Sequence, residues 1–215
     1  MASKFSRRLA SVAFALAPFG LMKSALAAGP SKEKYYFELK AVTPKAELNA
    51  DVVKLAAGRV LAELKKAFQQ HPQLVAQLDG APDPRSDPDA YRAYLSKAHI
   101  TGAFNVTVEI TEAAELLTPI DDKPGARRLE TRLGLRMLGA RIPDDTLGFT
   151  GNGKAASKQE VATKPSDAER QGTWNDLAEL AVSQAIRTAL EELTAAAKTK
   201  PKPKPKAKPL GKGAR

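Results

Sequence analysis

Phe104-Asn105-Val106-Thr107-Val108-Glu109-Ile110-Thr111 alternates apolar and polar residues without a break. A period of two belongs to a strand with one face buried and one face wet. Leu129-Glu130-Thr131-Arg132-Leu133-Gly134-Leu135-Arg136-Met137 repeats the pattern, and Thr146-Leu147-Gly148-Phe149-Thr150 supplies a third, shorter strand. Connections rich in Pro, Asp and Gly (Pro119, Asp121-Asp122, Pro124-Gly125, then Pro143-Asp144-Asp145) separate the three as hairpins. The block from His99 to Gly153 is therefore the scaffold, with Gly151-Asn152-Gly153 expected as a glycine turn at its end.

Upstream, Lys34 to Val42 alternates as a first strand, with Tyr35, Phe37, Leu39 and Ala41 on one face and Tyr36, Glu38 and Lys40 on the other. Asn49 or Asp51 caps a helix whose stripe is Val53, Ala57, Val60, Leu61, Leu64 and Phe68, spaced by three and four. Pro72 stops that helix or starts a short segment carrying Leu74, Val75 and Leu78. A second, short helix is expected over Asp87–Ala98, with Tyr91, Tyr94 and Leu95 facing one way. Ser166-Asp167-Ala168-Glu169 is a capping box for a helix with the stripe Trp174, Ala178, Val182, Ala185, Ile186, Ala189, Leu190 and Leu193. A stripe so rich in alanine predicts that this helix lies close against the sheet. The fold class is α+β: a two-layer sandwich in the order β-α-(short α)-β-β-β-α, with a mostly antiparallel sheet packed by two main helices.

The charge is unevenly placed. The chain of 215 residues carries +10. Residues 1–27 contribute +4 from Lys4, Arg7, Arg8 and Lys23, and residues 198–215 contribute +8 from seven lysines and Arg215, with no acid in either end. Subtracting +4 and +8 from +10 leaves −2 for residues 28–197. A basic surface that tracks nucleic acid is thus not indicated for the domain.

Residues 1–27 read as a secretory signal peptide, with a basic start, an apolar stretch from Leu9 to Met22, and Ala25-Leu26-Ala27 as the cleavage pattern, cut between Ala27 and Ala28. The alternative is an uncleaved amphipathic N-terminus. Residues 28–197 form a single domain. Residues 198–215 form a disordered basic tail, because alternating Lys and Pro makes neither helix nor central strand and like charges keep it extended. Its lysines Lys198, Lys200, Lys202, Lys204, Lys206, Lys208 and Lys212 are the candidate contacts to an anionic partner.

Chemistry was sought in several patterns. The absence of cysteine excludes disulfides, thiolate metal sites, cysteine nucleophiles and a lipoprotein anchor. Gly148-Phe149-Thr150-Gly151-Asn152-Gly153-Lys154 has the spacing of a phosphate-binding loop, but Ala155 stands where a magnesium-binding hydroxyl belongs, and no buried strand precedes the first glycine. His71 and His99 have no Asp or Glu at ligand spacing. Asp121-Asp122 and Asp144-Asp145 fit turns better than a general acid and base. Ser96, Ser157 and Ser166 lack a nucleophile elbow. The aromatic residues Tyr35, Tyr91, Tyr94 and Trp174 fit a core, while Tyr36 faces outward. No catalytic residue, metal ligand or cofactor is expected.

The carriers of a resemblance are Tyr35–Val42, the Val53–Phe68 helix, the Ile100–Thr111 strand entered through Thr101-Gly102, and the Ser166–Leu193 helix. In this order they resemble periplasmic envelope accessory domains of the penicillin-binding-protein-activator and curli-secretion-lipoprotein type, and the N-terminal domain of the Tol translocation protein. The likeness spans about residues 35–195, is topological and carries over no functional residue. It implies a non-catalytic docking module that recruits envelope proteins; lacking a lipobox cysteine, the chain departs from the two lipoprotein families. The expected function is an exported binding or scaffold protein, periplasmic or secreted, whose basic tail meets an anionic cell-wall or membrane surface or an acidic partner. The alternatives are a nucleic-acid binder using the Lys-Pro tail and, behind it, a nucleotide-binding enzyme with a degenerate phosphate loop.

Overall fold

A computed structural model describes residues 33–199 apart from 122, 124 and 164. The elements are β1 (Lys34–Pro44), α1 (Ala50–Gln70), β2 (Leu74–Val75), α2 (Pro88–Lys97), β3 (Ile100–Pro119), β4 (Ala126–Arg141), β5 (Leu147–Ala162) and α3 (Asp167–Thr199). The five strands form one sheet in the order β2-β1-β3-β4-β5. β1 pairs in parallel with β2 and β3, whereas β3–β4 and β4–β5 are antiparallel. The fold is the expected α+β sandwich. The segment after Pro72 is a two-residue strand.

Apolar residues decide which face is which. Val53, Ala56, Val60, Leu64 and Phe68 of α1 and a stripe of α3 from Trp174 to Leu193 are buried against Phe37, Phe104, Val106, Val108, Leu133, Leu135, Met137 and Phe149. Both main helices therefore cover the same face. Ala56 takes the buried place expected for Ala57, and Leu61 sits at the flank of the stripe, 37% exposed. On the opposite face α2 covers one end of the sheet only, where Tyr91 and Leu95 close over Ile100, Ala103 and Ile142 with Tyr36 beside them. Tyr36 does face away from the main core, yet it belongs to this second, smaller one.

The sheet has four register shifts, at Thr101, Lys40, Thr111 and Gly148, and those at Lys40 and Thr111 reset which side chains meet the main core. Lys40 is an extra residue between Leu39, opposite Val106, and Ala41, opposite Thr107. Val42 rather than Ala41 then packs on the main core. Thr111 is the corresponding extra residue in β3, between Ile110 and Glu112. One inserted residue moves every later side chain to the other face. Ala113 and Glu115 consequently point at the helices.

The ends of the helices follow local chemistry. The Asn49 side chain accepts hydrogen bonds from the Asp51 and Val52 amides, and the Asp87 side chain accepts from Ala90 N–H ahead of Pro88. The Ser166–Glu169 capping box forms in both directions: Glu169 N–H donates to Ser166 Oγ at 3.2 Å, and Ser166 N–H donates to Glu169 Oε2 at 2.7 Å. The serine hydrogen bonds hold the Glu169 carboxyl below the usual carboxylate range. α3 continues beyond the expected Leu193 to Thr199, so Lys198 stands in its last turn rather than in an extended tail. Ala195-Ala196-Ala197 favours helix, and the first proline comes only at 201.

Candidate functional site

The glycine-lysine motif is strand, not loop. Residues 148–154 lie inside β5, with Phe149 to Lys154 paired to Gly139 to Gly134 of β4 and Gly148 the extra residue at a register shift. The expected glycine turn at Gly151-Asn152-Gly153 is therefore corrected, and with it the nucleotide reading, since a phosphate needs a loop of convergent amides at a helix start. What the glycines do instead is admit α3. A Cβ on Gly151 would stand 2.3 Å from Ala185 O, and one on Gly153 would stand 1.9 Å from Ala181 O. The alanine stripe of α3 thus lies directly against the backbone of β5, closer than any side chain on those two residues permits.

This approach brings helix side chains to the strand edge. Thr150 N–H donates to Glu192 Oε2 at 2.9 Å, Asn152 N–H to Thr188 Oγ1 at 2.8 Å, and Lys154 N–H to Gln184 Oε1 at 2.8 Å. Residues at i, i+4 and i+8 of α3 match residues at i, i+2 and i+4 of β5, because four helical residues rise about 6 Å and two strand residues about 6.7 Å. Half of an edge strand is sealed in this way. Beyond it, Lys154, Ala155 and Ala156 of β5 and Leu180, Ser183 and Arg187 of α3 line a groove of about 460 Å³. Leu180 is 60% exposed there.

A second cleft, of about 350 Å³, lies between α2 and the start of β3, lined in part by Arg92, Ser96, Thr101 and Arg141. Its cations are engaged. Arg92 donates to Asp89 at 2.9 Å and to Asp144 at 2.7 Å, and the Arg141 guanidinium stands 5.7 Å from the centre of the Phe104 ring. Asp144 is thus a partner for an arginine rather than half of a carboxylate pair, and Asp145 takes a turn conformation with φ of 52°.

The other residues singled out for chemistry are distributed over the fold. His71 ends α1, where its Nδ1 accepts the Gln73 amide at 3.3 Å and burial lowers its pKa. His99 takes φ of 57° between α2 and β3. Ser166 caps α3, and Ser157 lies within β5. Tyr35, Tyr91 and Trp174 are buried, and burial pushes the Tyr91 phenol up to about 12. Among the described residues no three His, Asp or Glu side chains group to hold a metal ion. Ala27, Ala28, Lys200, Lys202, Lys204, Lys206, Lys208 and Lys212 lie outside the described residues.

One charged cluster escaped the sequence. Glu115, turned inward by the Thr111 bulge, accepts Trp174 Nε1–H at 2.7 Å and two bonds from Arg170 at 3.1 and 2.6 Å. Its side chain is 14% exposed. All three groups are mutually satisfied, so the cluster anchors α3 and offers nothing to a substrate.

Away from α2, the outer face of the sheet is a mosaic of opposite charges. Arg132 pairs with Glu130 and, at 3.9 Å, with Glu112; Lys158 reaches Glu130 at 3.4 Å, and Lys123 reaches Glu160 at 2.7 Å. Arg132 draws Glu130 below the usual carboxylate range. Opposite charges thus meet across this part of the face rather than forming a patch of one sign. No described helix is long and apolar enough to cross a membrane.

No family model matches the chain, and no curated protein matches it. Several solved structures are distantly similar to it. A protein from Helicobacter pylori, named as a homolog of a neuraminyllactose-binding hemagglutinin, is 8% identical with a TM-score of 0.43 over 78% of this chain and 91% of its own. A minor lipoprotein from Acinetobacter baumannii is 10% identical with a TM-score of 0.35, over 73% and 91%. Lipoprotein B from Nitrosomonas europaea is 10% identical with a TM-score of 0.34, over 75% and 90%. Bacterial lipoproteins recur among these neighbours. Likeness at this level assigns neither family nor function.

Proposed function

We propose that the chain is an exported, non-catalytic protein of the cell envelope, periplasmic or secreted, that acts as a binding or scaffold module. In this reading residues 28–197 present the sheet to an envelope protein. Lys198, Lys200, Lys202, Lys204, Lys206, Lys208 and Lys212 hold an anionic surface, whether cell-wall polymer, lipid headgroup or acidic protein. The observation that carries it is the division of charge. The domain pairs its own charges across the outer face, while the basic surplus sits in two ends without a single acid. Each lysine held near an anionic surface contributes about 1 kcal/mol, screened as salt rises.

Cell fractionation with N-terminal sequencing tests the export half. The expected result is a protein outside the cytosol that begins at Ala28. A chain that begins at Met1 and stays in the cytosol would sink the envelope reading and leave nucleic acid as the anion for the tail.

A further inference from the structure

The two edges of the sheet are guarded unequally. On β1, beyond the two residues paired to β2, Lys40 bulges out as an exposed lysine. A bulge discourages another strand from adding. On β5 the helix seals Thr150, Asn152 and Lys154. Ala156, Lys158 and Glu160 have the same parity, so their amides and carbonyls also point out of the sheet. They are exposed, and among the described residues their amides meet no acceptor. Such an open row of donors and acceptors is a template for an added strand.

We propose that this open half of β5 pairs antiparallel with the same segment of a second copy of the chain, about a two-fold axis at Gln159, so that two five-stranded sheets become one. Symmetry and charge together choose the register. With the axis at Gln159, Lys158 of each copy lies directly opposite Glu160 of the other, and both residues are of the outward-pointing parity that exchanges backbone hydrogen bonds. Moving the axis by one residue, to Lys158 or Glu160, sets lysine against lysine or glutamate against glutamate, which destabilises a strand pair. The side chains are free to reach across, being 63% exposed for Lys158 and 49% for Glu160. Within one copy Lys158 already bonds Glu130, and Glu160 bonds Lys123. The pairing therefore extends an alternating row, Glu130–Lys158 of one copy continuing into Glu160–Lys123 of the other.

The test is the mass of the full chain by sedimentation across a concentration series, for the wild type, Lys158→Glu, Glu160→Lys and the double variant, with circular dichroism to check folding. The wild type is expected to sediment as a dimer. Each single variant, which sets like charges together twice, is expected to be monomeric. The double variant restores opposite charges and is expected to dimerise, as is an equimolar mixture of the two single variants. That rescue cannot come from misfolded chains. A wild type monomeric at every concentration overturns the proposal. So do single variants that remain dimeric, or a double variant and a mixture that both stay monomeric.

Discussion

Glu115 places a carboxylate on the largely apolar face that the helices cover, and it is tolerated because the Arg170 guanidinium and the Trp174 indole both donate to it there. The Trp174 indole and the Arg170 guanidinium approach from the first turns of α3, so one side chain of β3 fixes where that helix begins its crossing of the sheet. A buried acceptor serving charged and neutral donors is costly to remove, because the donors are left without partners. Glu115→Ala is expected to lower stability by about 2 kcal/mol, and Glu115→Gln by about half of that, since an amide oxygen still accepts from the indole. Trp174 is the only tryptophan, so urea unfolding followed by its fluorescence reads both values. Loss of stability no larger than that of an exposed glutamate would show that the cluster is ornamental to the fold. Nothing in Glu112-Ala113-Ala114-Glu115 marks the second glutamate as inward. The alternation that identifies β3 stops at Thr111, and a bulge leaves no side-chain signature of its own there.

Strand β5 and helix α3 act as one element. The strand supplies backbone without side chains at Gly151 and Gly153, the helix supplies alanines against it, and Gln184, Thr188 and Glu192 close the strand's donors. Gly153→Ala forces a methyl group to within 1.9 Å of Ala181 O, a backbone atom that moves only with the helix. The expected cost is about 3 kcal/mol or more, at the upper end of overpacking effects. Gly172→Ala is the control, because a Cβ there meets nothing within 4 Å and sits in α3; it is expected to stabilise by about 1 kcal/mol. Thermal unfolding of the two variants checks this: a Gly153→Ala chain as stable as the wild type would contradict the close approach of α3 to β5. Half of this pairing was readable beforehand. The alanine stripe announces a close approach, but Gly-Asn-Gly after a short strand is ordinary turn chemistry and hides the glycines that receive it. The overlooked signal is their spacing. Gly151, Gly153 and Ala155 fall on one face of a strand, and small residues at that period match an alanine stripe at helical period.

At the scale of the whole molecule, the order of elements and the α+β class followed from hydrophobic periodicity, whereas the parallel pairing of β1 with β3 and the restriction of α2 to one end of the outer face did not. Both depend on contacts between segments distant in the chain. Within the described domain opposite charges pair across part of the outer face, while the basic surplus of the sequence lies in residues 1–27 and 198–215. The account turns on that separation, and co-sedimentation with vesicles containing phosphatidylglycerol measures it, comparing chains 28–215 and 28–197 over a series of salt concentrations. The longer chain is expected to pellet with the vesicles at low salt and to be released as salt rises, while the shorter one stays in the supernatant throughout. Equal binding by the two chains, or binding by the longer one that salt leaves unchanged, would contradict it.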